Sequence, residues 1–259
     1  MMKNLQDLKL NDASYGVHQF KFRKKLKKFT FFSLTVMLMF FSLASSASHI
    51  RYLNLTWRPV SGRTVEFKFS YAQAGTASVG QQLNFGINTG AGSVTIPTRV
   101  TSNNTAENYF YAEGTALYTY PANGNYTAAF STCCRIFGMV NNSSGSVYVG
   151  TTVNVGTGNS SPIATLPPVV NVSRGVLATF TLPANDPDGD ALSYRLATPS
   201  EMGGGSQPAG LSVNSSTGLV TFNTTNASIG QLYSAAIIVG DGKTSITVDF
   251  IIKITQQSI

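Results

Sequence analysis

Asp186-Pro-Asp188-Gly-Asp190-Ala-Leu-Ser-Tyr194 is the most informative stretch of this chain. Its three aspartates alternate along a turn that contains proline and glycine, between the strand-like runs 178–182 and 192–196. Carboxylates at this spacing repel one another unless a cation lies among them, and Ca²⁺ is the hard cation that prefers oxygen ligands. Alternatively, the aspartates only accept the backbone hydrogen bonds of an Asx turn, without any metal. Both interpretations place a tight turn between two β-strands.

The rest of the chain also has the pattern of β-strands. Residues of one hydrophobic face recur with a period of two in several segments, which is typical of half-buried antiparallel strands. Asn123-Gly124 has the composition of a hairpin turn between residues 118–121 and 126–130. The clearest alternating sets are Val65, Phe67, Phe69 and Tyr71, and Ile246, Val248, Phe250, Ile252 and Ile254.

The N-terminal residues 1–48 have the order of a secretory signal. A basic block at residues 21–28 precedes the apolar run 29–43, and small residues follow at 44–48. This order predicts either a cleaved signal peptide or an uncleaved signal anchor. In both cases the protein is secreted or lies at the cell surface, and only an uncleaved signal anchor or a missing downstream anchor would attach it to a membrane.

Most of the positive charge belongs to that segment. The full chain carries a net charge of +7, of which residues 1–48 contribute +6 and residues 49–259 only +1. A nucleic-acid-binding role requires a basic surface on the folded part of the protein. We therefore expect no nucleic-acid partner.

The length after residue 48 suits two consecutive β-sandwich domains of the Ig-like or cadherin-like kind. A small, polar segment that ends in Pro162 separates a completed strand from the next apolar run. The predicted organisation is a sandwich over residues 49–156, a linker over 157–162 and a second sandwich over 163–259.

The second half resembles cadherin-like domains of the dystroglycan type and the related putative-Ig domains of bacterial surface proteins. The matching pieces are Asn159-Ser-Ser-Pro162, the Asp186–Tyr194 turn, the Thr217-Gly218 hairpin within residues 210–222, and Val239-Gly-Asp241-Gly242. The resemblance implies that Asp186, Asp188 and Asp241 ligate Ca²⁺, with Asp190 and Asn159 as secondary candidates. The linker 157–162 has no acidic residue, unlike a calcium-bound cadherin junction, so we expect weak binding. In the first half, residues 48–57, from Ser48-His49 to Trp57, resemble the opening strand of N-terminal domains of bacterial surface proteins.

Cys133 and Cys134 are the only cysteines of the chain. In an oxidising compartment three states are open for this pair. They are a vicinal disulfide that stiffens a binding loop, a disulfide to another chain, and two free thiols on opposite faces of a strand.

Tyrosines crowd the middle of the first half. Aromatic rings can stack on the apolar faces of sugars, but tyrosines also pair across strands in a sheet. Both interpretations apply to Tyr109, Tyr111, Tyr118 and Tyr120.

Residue types for catalysis are scarce after residue 48. His49 is the only histidine there, and no spacing recommends any pair of glutamates as the acid and base of a glycosidase. We therefore expect no enzyme. The sequence favours a surface binding or adhesion protein whose partner is another surface protein or a glycan, with a carbohydrate-binding accessory module and a spacer fragment of a longer repetitive protein as alternatives.

Overall fold

The computed structural model describes residues 49–256, and almost all regular structure in this range is β-strand. The only helix in it is a short 3-10 turn, Ser200–Met202. The predicted all-β class is therefore confirmed. The predicted signal segment, residues 1–48, lies outside the described residues, as do residues 257–259.

Seven long strands make up the first half of the described chain. They are β1 (Ile50–Ser61), β2 (Thr64–Ala74), β3 (Gln82–Asn88), β4 (Ser93–Asn104), β5 (Tyr109–Thr119), β6 (Gly124–Thr132) and β7 (Val147–Val155). Strand β2 lies between β1 and β5, and the order continues through β4, β3, β6 and β7.

Nine strands, most of them shorter, follow in the second half. Strands β10, β14 and β13 form one small sheet, and β11 pairs with β8. The strands are β8 (Ile163–Ala164), β9 (Val169–Ser173), β10 (Leu177–Thr181), β11 (Ala184–Asn185), β12 (Ser193–Leu196), β13 (Leu211–Val213), β14 (Leu219–Asn223), β15 (Leu232–Gly240) and β16 (Ser245–Thr255).

Two local predictions have different outcomes. The hairpin around Thr217-Gly218 is present, because β13 and β14 pair antiparallel with Val213 opposite Val220. The predicted hairpin at Asn123-Gly124 is wrong, because β5 and β6 do not pair. Strand β5 already has β2 on one side and β4 on the other, so the chain leaves it for another part of the sheet.

The alternating set on β2 is buried as predicted. Val65, Phe67, Phe69 and Tyr71 lie in the core of the first half, each no more than 4% exposed. On the opposite face of β2, Lys68 is exposed and Glu66 is half-buried, whereas Ser70 is buried. The period of two therefore identified the core-facing side of β2 correctly, but the other side is solvent-exposed only in part.

Strand β16 was also predicted to be half-buried, but both of its faces are buried. The predicted apolar face of β16 lies in the core of the second half, but Thr247, Asp249 and Ile251 on the other face are buried as well. The reason is the position of the strand. One edge of β16 pairs with β15, and the other pairs in turn with β7, β1 and β9.

A buried ion pair lies on this second face of β16. The guanidinium of Arg135 donates to both carboxylate oxygens of Asp249, at 2.9 and 2.7 Å, and both side chains are completely buried. Arg135 also donates to the carbonyl oxygens of Ser146 and Met202. Burial raises the pKa of Asp249, and the guanidinium opposes that rise. The pair ties the loop after β6 to the last strand of the second half.

The segment between the two halves is held by Trp57 on β1. The backbone N–H of Trp57 donates to Ser161 Oγ at 2.9 Å, and the Ser161 N–H donates to the Trp57 carbonyl oxygen at 3.0 Å. Ser161 is completely buried. The two halves consequently belong to one compact unit, in which the predicted linker is an anchored connection.

We predict that Asp249→Ala destabilises the protein by about 3–5 kcal/mol, because the Arg135 guanidinium is then buried without a counter-charge. The double variant Arg135→Met/Asp249→Leu should recover most of that loss, since it removes both charges and retains apolar volume. Urea unfolding of the full chain measures both effects.

The matched control removes an ion pair from the surface. Arg195 and Glu201 form a bidentate pair with side chains 53% and 31% exposed, and losing it should cost only about 0–1 kcal/mol. An Asp249→Ala variant no less stable than Glu201→Ala would contradict a role for the buried pair in joining the two halves.

Candidate functional site

The Asp186 turn connects β11 to β12 and is organised by its first carboxylate. Asp186 Oδ1 accepts hydrogen bonds from the backbone N–H groups of Asp188 and Asp190, at 2.9 and 3.1 Å. Gly189 adopts a φ of +83°, a left-handed conformation that side chains disfavour. The Asx-turn hydrogen bonds are therefore present, and they leave Asp186 Oδ2 free to point elsewhere.

Asp241 organises the neighbouring turn between β15 and β16. Its Oδ1 accepts from the backbone N–H groups of Lys243 and Thr244, and its Oδ2 accepts from Thr244 Oγ1 and Asn159 Nδ2. Burial opposes ionisation of this carboxyl, but the hydrogen bonds from Thr244, Asn159 and Lys243 outweigh it and lower the pKa of Asp241. Four hydrogen bonds already occupy both oxygens of Asp241.

Asn159 brings these two turns together. Its Nδ2 donates to Asp241 Oδ2 at 2.9 Å, to Thr244 Oγ1 at 3.3 Å and to the Ser160 carbonyl oxygen at 2.7 Å. The next residue links to the other turn, because the Ser160 N–H donates to Asp188 Oδ2 at 2.6 Å. The connecting segment thus contacts both aspartate turns within two residues.

Two acceptor atoms at this corner are buried without a hydrogen-bond donor. They are Asn159 Oδ1 and Asp186 Oδ2. Asn159 is only 5% exposed, and its Nδ2 has three acceptors, which fixes the amide with its oxygen on the other side. Buried polar atoms are normally paired, so two unpaired oxygens around one corner favour a donor or a cation.

A cationic side chain already lies beside the corner. Lys243 Nζ is 2.7 Å from Asp190 Oδ2, and both side chains are partly exposed. The hydrogen bond to Asp190 raises the pKa of Lys243, and the charges of Asp241 and Asp188 act in the same direction. Asp190 therefore has a partner for its charge without any metal.

The side chains at this corner offer few ligands for a metal ion. In the range 49–256, no three His, Cys, Asp or Glu side chains converge in a way that could hold an ion. Ca²⁺ also binds amide and backbone carbonyl oxygens. The atoms that could accept it are the unpaired Asp186 Oδ2 and Asn159 Oδ1, together with the exposed carboxylate of Asp188, which is hydrogen-bonded to the Ser160 N–H. This is a small ligand set for a weak site.

Cys133 and Cys134 lie immediately before the buried Arg135, and their sulfur atoms are bonded to each other. The Cys134 carbonyl oxygen accepts a hydrogen bond from the Ile50 N–H at 3.3 Å, and the Arg135 N–H donates to the Gly145 carbonyl oxygen at 2.8 Å. Phe137, further along this loop, is 79% exposed. The disulfide thus belongs to the loop that delivers Arg135 to Asp249.

The four tyrosine candidates do not share one surface. Tyr120 is a fully buried core residue whose hydroxyl donates to the Thr89 carbonyl oxygen, which corrects its assignment as a stacking residue. Tyr118 is half-buried and packs edge-on against Tyr120. Tyr109 and Tyr111 line a cleft between β1, β2, β5 and residues 163–168. Of these four, Tyr111 combines a place in the cleft with a partly exposed ring.

The glutamates considered for acid and base chemistry are each paired with a cation. Arg195 and the Thr198 N–H hold the pKa of Glu201 at about 2, which is unsuited to a general acid. The other pairs are Glu66 with Arg58, Glu113 with Lys68 and Glu107 with Lys253. Nothing in this arrangement points to catalysis. Within residues 49–256, no helix has the length and apolarity that a membrane crossing requires.

Comparison with known proteins gives a consistent assignment. Integrin beta-like protein A of Dictyostelium discoideum is 32% identical over 253 residues, an alignment that covers 85% of this chain and 13% of that protein. Integrin beta-like protein C of the same organism is 30% identical and covers 86% of this chain and 12% of its own length. The chain therefore spans about an eighth of the relatives that it matches.

A solved endo-fucoidan hydrolase of glycoside hydrolase family 107 covers 79% of this chain and 37% of its own, at 14% identity and a TM-score of 0.29. At that TM-score the likeness carries no information about function.

Two family models match in sequence order. The model of the integrin beta-like protein A-E N-terminal domain matches residues 51–156, and the model of the integrin beta-like protein A-E second Ig-like domain matches residues 163–258. The chain thus carries, one after the other, the N-terminal domain and the second Ig-like domain of the integrin beta-like protein A-E family.

Proposed function

We propose that this chain is a ligand-binding part of a cell-surface or secreted adhesion protein, and that its Ig-like second domain binds Ca²⁺ in a cadherin-like manner. The kinship with integrin beta-like proteins and the signal-like order of residues 1–48 support the location. The resemblance of the two aspartate turns to cadherin-like domains supports the metal.

One observation carries the metal proposal. Asn159 Oδ1 and Asp186 Oδ2 are buried acceptors without donors, at a corner where the connecting segment bonds to both aspartate turns. Ca²⁺ binds through oxygen atoms and completes six to eight ligands with carbonyl groups and waters. A bound ion would satisfy both orphan oxygens and offset the charges of Asp186 and Asp188.

The other candidate residues have supporting roles in this proposal. Asp241 positions Asn159 through the Nδ2 hydrogen bond, since its own oxygens are already engaged. Lys243 neutralises Asp190. Only two carboxylates and one amide then remain for the ion, so the affinity belongs to the weak extracellular range, with Kd on the order of 10⁻⁴–10⁻³ M.

Calcium at this place would act on the junction between the domains. Asn159 and Ser160 belong to the segment that joins them, and Ser161 is bonded to Trp57 of the first domain. An ion bound to Asp186 and Asn159 would stiffen this segment against the second domain. A surface protein under mechanical load benefits from such a stiff junction, whereas a passive spacer would be equally stable without Ca²⁺.

We predict that Ca²⁺ at about ten times its Kd stabilises the full chain by about 1.4 kcal/mol, which raises Tm by about 3–6 °C. The double variant Asp186→Asn/Asp188→Asn should lose this shift, because it removes two charges and retains amide oxygens for the turn hydrogen bonds. Thermal melting of chelator-treated protein with and without Ca²⁺ provides the measurement.

Two comparisons make that result specific. Glu201→Gln removes a carboxylate that is paired with Arg195 and not with any residue of the Asp186 corner, and it should leave the Ca²⁺ shift unchanged. Mg²⁺ at equal concentration should give a smaller shift, since it requires a tighter octahedral shell. An identical Tm in chelator and in millimolar Ca²⁺ would refute the metal proposal.

We further predict that Asp241→Asn destabilises the protein by about 1–3 kcal/mol at neutral pH, because charge-assisted hydrogen bonds hold Asn159 and Thr244. The lowered pKa of Asp241 sets the sign of the pH dependence. Its contribution is complete above the ordinary carboxyl pKa of 3.8 and is lost as pH falls through the lower folded value. Urea midpoints at neutral and acid pH should converge for the two proteins, and a difference that grows on acidification would contradict this role.

A further inference from the structure

A polar face of the first domain borders a cleft that none of the roles above uses. Strands β1, β2 and β5 lie side by side, and the side chains that point away from the first domain's core are mostly polar or aromatic. The pairing register places them in rows across the strands: Tyr52–Ala72–Tyr111, Asn54–Ser70–Glu113 and Thr56–Lys68–Thr115.

The connecting chain supplies the other wall of this cleft. Residues 163–168 border it with an exposed isoleucine, Ile163, and with Pro167 and Pro168. The cleft has a volume of about 530 Å³. A second cavity of about 240 Å³ borders it at Thr56, Lys68 and Ile163 and is also lined by Ser160 and Pro187, and we call the two cavities together the groove. This size lies within the usual range of ligand sites, about 300–1,000 Å³.

Charges along the groove are balanced. Lys68 Nζ is 2.9 Å from Glu113 Oε2, and Arg58 Nε is 2.8 Å from Glu66 Oε2. All four side chains are between 25% and 62% exposed, so a ligand can reach their donors and acceptors. Two cations and two carboxylates give no net attraction for a strongly anionic or cationic ligand.

Strands β1, β2 and β5 form the floor of the groove, and their backbone groups are not available to a ligand. Strand β2 pairs with β1 and β5, strand β5 pairs with β2 and β4, and strand β1 pairs with β2 and, over part of its length, β16. A peptide that binds by strand addition requires a free strand edge. Recognition in this groove must therefore come from side chains.

Those side chains combine apolar surface with hydrogen-bonding groups. The rings of Tyr52 and Tyr111 lie 6.2 Å apart, and the Tyr111 hydroxyl donates to Glu113. Tyr111, Ile163 and Pro167 offer apolar surface, while Lys68 and Glu113 offer a donor and an acceptor side by side. A pyranose ring has the complementary arrangement, with an apolar C–H face and hydroxyl groups around its rim.

We propose that this groove binds a neutral oligosaccharide, with Glu113 and Lys68 hydrogen-bonded to sugar hydroxyls and Tyr111 in contact with a ring. The proposal rests on the surface-binding function above but requires no Ca²⁺, because the side chains proposed to contact the sugar, Tyr111, Lys68 and Glu113, do not belong to the Asp186 corner. Balanced charge, paired strand edges and the exposed Lys68–Glu113 pair beside an apolar wall all favour this ligand class over a polyanion or an added peptide strand.

The test measures binding of the full chain to immobilised neutral oligosaccharides built from glucose, mannose or N-acetylglucosamine. A sulfated oligosaccharide and a polar unstructured peptide serve as competing probes. We expect binding to at least one neutral chain, and we expect Glu113→Gln to weaken it about tenfold or more, since it removes a charge-assisted hydrogen bond. Glu201→Gln is the matched control and should bind as the wild type does, because that glutamate is also ion-paired but lies outside the groove.

A second variant blocks the groove sterically. Thr165 lines it with an exposed side chain, and only its backbone N–H is bonded, to the Pro183 carbonyl oxygen at 3.0 Å. Thr165→Trp should abolish sugar binding while the thermal melt stays close to that of the wild type.

The outcomes separate this proposal from the one on calcium. No binding to any neutral sugar, binding of the sulfated chain or the peptide alone, or full binding by a folded Thr165→Trp variant would each overturn the glycan site. Measuring in Ca²⁺ and in chelator distinguishes the two proposals, because sugar binding should be equal in both, whereas the Tm shift with Ca²⁺ reports only on the Asp186 corner.

Discussion

One constraint governs the contact between the two domains, namely that the buried charges of Arg135 and Asp249 must stay paired with each other. Two opposite charges removed from water are costly unless each satisfies the other, and here a bidentate contact and two carbonyl acceptors for the guanidinium do so. Because Asp249 lies on β16, the pair fixes the last strand of the Ig-like domain against the N-terminal domain. Strand β16 belongs to the second domain and also pairs with β7 and β1 of the first, so it is in contact with both domains.

Both functional proposals depend on this docking. The connecting segment leaves the first domain at β7 and is held to Trp57 by Ser161. Its beginning carries Asn159 to the aspartate turns, and its continuation at residues 163–168 forms a wall of the groove over β1, β2 and β5. One short stretch of chain therefore shapes the calcium corner and the groove, although the two sites share no proposed ligand contact.

Sequence patterns predicted the parts of the fold that local rules determine. The core-facing residues of β2 and the all-β class follow from the side-chain period, and the Thr217-Gly218 hairpin was implied by the resemblance to cadherin-like domains; the structure contains all three. The resemblance to cadherin-like domains named Asn159 and Asp241 together, and the structure places them in hydrogen-bond contact. At Asn123-Gly124 the turn composition was misleading, because the partners of β5 are chosen by tertiary packing.

No local sequence pattern predicts the Arg135–Asp249 ion pair. Asp249 is one polar residue in an alternating strand, where a solvent-facing position is the usual expectation, and Arg135 is 114 residues away. The groove was missed for the same reason, since its floor and its wall come from different domains. Of its lining residues, the sequence marked only Tyr109 and Tyr111 as candidates for sugar stacking, because their clustering is visible in sequence.

Calorimetry of the full chain tests most directly whether the two domains form one body. If β16 and the Arg135–Asp249 pair join them as described, residues 49–256 should melt in a single transition whose calorimetric and van't Hoff enthalpies agree. Two separate transitions, or a calorimetric enthalpy near twice the van't Hoff value, would show that the domains unfold independently and would contradict this account.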